Sequence, residues 1–129
     1  MKKILIRMKD EVANKNMTIT FEDFEKIDIR VGKVIEAEDF PEARNPAFKL
    51  TIDFGPEVGV KRSSVQAVGA HTKEELCGML VCCVVNFPKK RVANFDSEVL
   101  TLGFKNTADI GWVLITPAKG SVEIGSTLR

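Results

Sequence analysis

This 129-residue sequence contains no tyrosine, one tryptophan and one histidine, and neither sign of charge dominates it. Each scarcity excludes something. With 19 Lys and Arg against 18 Asp and Glu, the formal net charge is only +1. A protein-wide positive field is therefore missing, and any contact with nucleic acid has to come from local clustering of cations. The lone histidine, His71, has no nucleophile or orienting carboxylate in a local motif, so a general-base role finds no support. It stands before a helix signal beside Thr72 and Lys73, where a solvated side chain is expected. Cysteine is sparse too, with three at positions 77, 82 and 83. An odd count with two adjacent members argues against a disulfide framework. Within "MLVCCVV", Cys82 and Cys83 read as small core residues. Zinc would want Cys-x-x-Cys pairs or several histidines, and neither is present. The G-x-G-x-x-G and P-loop lysine motifs of nucleotide sites are missing as well.

The acidic residues supply no better case for catalysis. Glu36, Glu38 and Asp39 cluster at a strand exit, where a solvated acidic patch is the simplest reading. A carboxylate pair alone does not make a hydrolase. The expectation is a protein with no catalytic residues, no metal and no cofactor. No run of eighteen apolar residues occurs, which excludes a transmembrane helix. "MKKILIRMKDEV" begins like a signal peptide, but Arg7, Lys9 and Asp10 break its apolar run and no small-residue cleavage site follows. A soluble cytoplasmic protein of one domain is expected.

What is present divides at about residue 18. Ile4, Leu5, Met8 and Val12 recur at helical spacing, then "NKN" interrupts and Met17 opens "MTITFEDFEKIDIRVG". Residues 1–18 are thus either a short amphipathic helix docked on the body or an extension with little structure, and the domain proper runs from 19 to 129. "FEDF" after Thr20 predicts one capped helical turn. Ile27, Ile29 and Val31 then alternate with Asp28, Arg30 and Gly32, and Gly32 suggests a barrel bend or bulge. "FKLTIDFG" turns Phe48, Leu50, Ile52 and Phe54 inward. "GPEVG" leads to "VKRSSVQAVG", where Val65 and Ala67 face in and Arg62, Ser64 and Gln66 out. "HTKEELCG" holds a capping box, Thr72 with Glu75, and predicts a short helix ended by Gly78. "MLVCCVVNF", "EVLTLGF" and "GWVLITP" supply further strands, and "SVEIGSTLR" could pair at an edge. Three strands, a short helix and two strands is the element order of an OB-fold, an all-β five-stranded Greek-key barrel with its helix between strands three and four.

On that frame the cations gain a pattern. Lys33 and Arg44 flank the first strand and its exit loop, and Lys49, Lys61 and Arg62 mark strands two and three, with Ser64 beside them. Lys89, Lys90 and Arg91 occupy the loop between the last two long strands. In an OB-fold these strands and loops form the usual oligonucleotide surface. Aromatics are few, so stacking would fall to loop residues such as Phe87 or Phe95. Recognition of a folded RNA by shape, phosphate and polar contacts fits this composition better than sequence-blind single-strand binding. The apolar residues of 1–26 and 117–129 further suggest a two-fold dimer that covers them.

"DIRVGKVIEAEDFPEAR", "KLTIDFG", "KRSS", "VVNFP" and "SEVLTLG", in this order, resemble the CsaA proteins, described as export-related chaperones. CsaA is in turn similar to the OB-fold tRNA-binding domain appended to methionyl-tRNA synthetases. The likeness spans residues 21–129. It implies a cytoplasmic homodimer that binds tRNA, with an affinity for unfolded or preprotein segments. It also implies that Asn86, Lys89, Lys90, Arg91, Ser97 and Glu98 contribute to the RNA site, the basic loop on phosphates and Asn86 and Ser97 on sugar or base groups. Where the broader family commonly has Gly-Met before its last strand, this chain, like CsaA, has Glu98, Val99 and Leu100. Two functions follow: a non-catalytic tRNA-binding module, or a peptide-binding, export-related chaperone with an apolar groove at its dimer interface.

Overall fold

The computed structural model describes residues 17–129. The extension expected over residues 1–18, as an amphipathic helix or with little structure, lies outside the described residues apart from Met17 and Thr18. Both expected N-caps are present, and each proves to be a capping box, the one at Thr20 as well as the one expected at Thr72. Thr20 Oγ1 accepts from the Asp23 N–H while the Asp23 carboxylate accepts from the Thr20 N–H, which fixes α1 (Phe21–Glu25). Thr72 and Glu75 do the same for α2 (Lys73–Leu76), and Gly78, at φ 90°, turns the chain into the next strand.

Alternation sets the strands. In β2 (Phe48–Asp53), Phe48, Leu50 and Ile52 are buried while Lys49, Thr51 and Asp53 are half-buried, the mark of one face on a core. β2 pairs antiparallel with β1 (Ile29–Asp39) and β3 (Val60–Val65). β1 also pairs with β4 (Leu80–Val84), and β4 with β7 (Leu100–Thr101). The order β3-β2-β1-β4-β7 curls until its two ends meet. At that seam Ser63 Oγ donates to the Val99 carbonyl at 3.2 Å and lies 2.8 Å from Thr101 Oγ1, so buried hydroxyls close the barrel. Between β3 and β4, α2 drops Leu76 among the fully buried Val34, Leu50, Ile52, Phe54 and Val81. This is the OB architecture that the element order predicts. Two hairpins decorate it: β5 (Lys90–Val92) with β6 (Phe95–Ser97), and β8 (Gly103–Lys105) with β9 (Trp112–Leu114). The C-terminal tail pairs at an edge, Thr127 opposite Arg30.

Several local expectations change. Gly32 is not a bulge, since its pairing with β4 runs without a register shift, and a Cβ there would lie 2.5 Å from Ile52 Cγ2 and 2.7 Å from the Phe54 ring. It is the absence of a side chain that lets the barrel close at this point. The bulge comes later, where the register shifts between Val34 and Glu36. Val31 is buried where the tail runs along β1, with the Gly125 and Leu128 N–H groups donating to the carbonyls of Val31 and Ile29. His71 is not solvated. Its side chain is 7% exposed, Nε2 accepts the Leu114 N–H at 3.0 Å, and Nδ1 lies 3.3 Å from Glu75 Oε2. The imidazole pins β9 to the start of α2. "EVLTLGF" is two short strands, β7 and β8, rather than one. Cys83 is a core residue, Cys82 is half-buried and Cys77 is exposed.

Candidate nucleic-acid interface

The loop that carries Lys89, Lys90 and Arg91 is itself a structure. Lys90–Val92 and Phe95–Ser97 form a tight hairpin, with Ala93 at φ 53° in its turn, a left-handed conformation uncommon for alanine. Arg91 and Asp96 face each other across the ladder, and Arg91 Nη1 donates to Asp96 Oδ1 at 2.9 Å. That hydrogen bond holds the Asp96 carboxyl below its usual range. Lys89 and Lys90 are exposed and make no ion pair among the described residues.

A caged cluster docks this hairpin on the barrel. Phe95, from β6, meets Phe40, from the β1–β2 loop, edge-on at 5.5 Å between centroids. Ala43, Ala47 and Val92 complete a small apolar core. Over it lie Arg62, 4.7 Å from the Phe95 centroid, and Lys49, 5.4 Å from that of Phe40. Glu38 holds both cations, at 3.2 Å from Arg62 Nη2 and 3.9 Å from Lys49 Nζ. Arg62 Nε is buried with no hydrogen-bond partner, which is a polar group left over in a partly exposed guanidinium. Phe95, one of the two expected stacking residues, is thus buried inside the cage; Phe87, the other, is exposed.

The predicted site residues separate into groups. Arg44, Lys49, Arg62, Ser64, Lys89, Lys90 and Arg91 lie on the outer face of β2–β3 and the two loops beside it. Ser97 and Glu98 belong to the same region, but their side chains serve the backbone. Ser97 Oγ accepts the Ser64 N–H at 3.0 Å and donates to the Val99 carbonyl, while Glu98 Oε1 accepts the Arg62 N–H at 2.9 Å. The Glu98 N–H donates back to the Arg62 carbonyl at 2.8 Å. Lys33 shares the outer face but stands at its far end, opposite Asp53. Lys61 pairs with the buried Ile52 and so lies on the opposite side of the sheet from Arg62. Asn86 is remote as well: its amide donates to the Lys26 carbonyl at 2.7 Å and its oxygen accepts the Asp28 N–H at 3.0 Å. It ties the end of β4 to the α1–β1 joint.

Next to the basic hairpin, along the β3–β7 seam, runs a groove of about 550 Å³. Phe87, Pro88, Leu100 and Trp112 give it apolar walls, and Ser64, Gln66 and Lys90 give it polar points. Trp112 was missed from sequence because "GWVLI" reads as a core strand. The residue is 43% exposed. A second hollow, of about 330 Å³, lies between α1 and the tail, lined by Phe21, Phe24, Asn86 and Leu128. Among the described residues no group of three or more His, Cys, Asp or Glu could hold a metal ion, and no helix is long and apolar enough to cross a membrane.

Fold and site together define an OB-type barrel with a basic hairpin caged onto its strand face. The profile of the family described as "Putative tRNA binding domain" matches residues 29–127. The crystal structure of the CsaA chaperone protein from Picrophilus torridus is 46% identical, with a TM-score of 0.78, covering 87% of this chain and 100% of that one. The chaperone CsaA of Bacillus anthracis is 45% identical, with a TM-score of 0.77 and coverage of 87% and 99%. The methionine–tRNA ligase of Pyrococcus abyssi is 32% identical over 125 residues, which are 96% of this chain and 16% of the ligase. The chain therefore spans only about a sixth of the ligases that it matches. It belongs to the tRNA-binding domain family, and within that family to the CsaA type.

Proposed function

We propose that this chain is a non-catalytic tRNA-binding module that acts as a homodimer in the cytoplasm. The observation that carries the reading is the hairpin. On a protein of net charge +1, three consecutive cations stand on a hairpin held by the Phe40–Phe95 cage beside Lys49 and Arg62. A pre-ordered row of cations meets phosphates without first paying the entropy of ordering a loop. Arg44, Lys49, Arg62, Lys89, Lys90 and Arg91 are the proposed phosphate contacts, with Ser64 among them. Ser97 and Glu98 would act by holding β3 and the hairpin together, and Lys33, Lys61 and Asn86 would lie toward the edges of the footprint or outside it. The dimer is supported by the exposed Met17, Ile19, Phe21, Ile27 and Leu128, which line or adjoin the hollow between α1 and the tail. Light scattering at micromolar concentration tests it, and a mass near 14.3 kDa would exclude it.

Replacing Lys89, Lys90 and Arg91 together by Ala tests the RNA reading. Labelled tRNA should bind more weakly, and the log–log salt slope should flatten by roughly two to three units, at about 0.7–0.9 per lost phosphate contact. The barrel should stay folded, since solvated side chains contribute only about 0.5 kcal/mol each. An unchanged slope would move the RNA site away from the hairpin. A second reading, a peptide-binding chaperone connected with protein export, draws on the mostly apolar groove and on the chaperone names of the CsaA structures. Binding of an unfolded peptide that survives high salt and the triple substitution would favour it.

A further inference from the structure

We infer that the groove along the β3–β7 seam receives one unpaired nucleobase of the bound RNA, stacked on Trp112 and Phe87, with its phosphate on Lys90. This rests on the RNA-binding reading and adds to it the step by which an unstacked base is held. Three observations support it. The first is size and shape: about 550 Å³ falls within the range of roughly 300–1,000 Å³ typical of small-ligand sites. The second is the placing of two exposed aromatic side chains on stiff backbone. The Trp112 N–H donates to the Gln66 carbonyl at 2.9 Å. A Cβ on Gly103 would lie 3.3 Å from Trp112 Cβ, so the glycine lets β8 and β9 approach each other there. Phe87 precedes Pro88, which fixes φ at the next position. The third is charge. The lining contains Lys90 and no carboxylate, with Lys89 adjacent in sequence, so one end of an apolar slot is cationic.

An unpaired nucleotide has the matching parts: a flat π-face on either side, donors and acceptors on its edge, and an anionic phosphate at one end. Gln66 carries both a donor and an acceptor, and Ser64 a hydroxyl, at the groove's polar points. An extended apolar peptide would use the aromatic walls but would gain nothing from a rim of uncompensated positive charge.

Trp112 is the only tryptophan and tyrosine is absent, so the protein's own emission reports on this one groove. The full-length protein is titrated with unfractionated deacylated tRNA while a trace of labelled tRNA reports binding by anisotropy. Expected are quenching of Trp112 in step with the anisotropy change, an affinity lower by about 5- to 150-fold in Trp112→Ala, and near-wild-type affinity in Trp112→Phe. Phe87→Ala should behave as Trp112→Ala does, and it keeps the test decisive if the tryptophan variant unfolds. Saturation by tRNA with emission unchanged and Phe87→Ala binding normally would overturn the base site and leave the RNA reading standing. An absence of tRNA binding at low salt would overturn both. Quenching by an unstructured apolar peptide that lacks tryptophan and tyrosine, but not by tRNA, would give the groove to a peptide and overturn the inference.

Discussion

Replacing Asp96 by Asn should strengthen RNA binding. The hairpin carries three cations, Lys89, Lys90 and Arg91, but Asp96 faces Arg91 directly across the ladder and accepts from it at 2.9 Å. Its carboxyl is held low by that contact, so it stays charged well below neutral pH. The local balance is three positive charges less one negative, which makes +2. Asparagine keeps the shape and removes the charge, so the Arg91 guanidinium meets its phosphate without a carboxylate offsetting it. Removing one negative charge from a surface apposed to phosphates steepens the log–log salt slope by up to about 0.7–0.9, which corresponds to at most roughly five- to eightfold tighter binding at about 0.1 M salt. Both side chains are well solvated, so the melting temperature should hold. Anisotropy of labelled tRNA across about 50–400 mM salt measures slope and affinity together. An unchanged slope would show that Asp96 does not offset Arg91 at the phosphates. Weaker binding would show that Asp96 aims the guanidinium rather than competing for it. Either result refutes the argument, whereas the expected gain is not easily mistaken for general damage, because damage does not raise affinity.

Two further outcomes concern the barrel itself. His71→Ala leaves the Leu114 N–H without its acceptor, and urea unfolding should register a loss of about 1–3 kcal/mol, with faster amide exchange at Leu114; a wild-type midpoint would mean that the imidazole is no pin. Burial pushes the Cys83 thiol from 9.0 up to about 12. The unfolded chain ionises first, so stability is full below about pH 9 and falls as pH rises toward about 12, by at most about 1.4 kcal/mol per pH unit. Cys83→Ala should flatten the slope measured between about pH 8.5 and 10, where no tyrosine titrates to obscure it; an unaltered slope would count against a buried thiol.

The features legible in sequence are those whose causes are local. The Thr20 and Thr72 caps each act within four residues, and the alternation of Phe48, Leu50 and Ile52 needs only its own strand. The reasons for Gly32 and the place of His71 were not legible because their partners are distant. The space that Gly32 leaves is filled by Ile52 and Phe54, and the acceptor that His71 supplies is used by Leu114, 43 residues away. The site divides in the same way. The position of the basic loop between strands was visible, but not that Phe95 would turn inward to meet Phe40 and anchor it. Lys61 was grouped with Arg62 by proximity in sequence, although successive residues of a strand face opposite ways. The resemblance assigned Ser97 and Glu98 to RNA, whereas in the fold their side chains are already engaged with β3.

That engagement has a consequence for the edge of the sheet. β3 ends the order of the five-stranded sheet, so the backbone donors of Arg62 and Ser64 would otherwise lie along an open edge, the kind of surface onto which another chain can add a strand. Glu98 and Ser97 occupy those donors with side-chain oxygens, and the Glu98 N–H takes the Arg62 carbonyl, in place of a neighbouring strand. Occupied in this way, the β3 edge offers no free donors at Arg62 and Ser64 for strand addition. A substitution at either position made to probe RNA binding would therefore uncover an adhesive edge, and precipitation could pass for a loss of affinity unless the monodispersity of the variant is measured first.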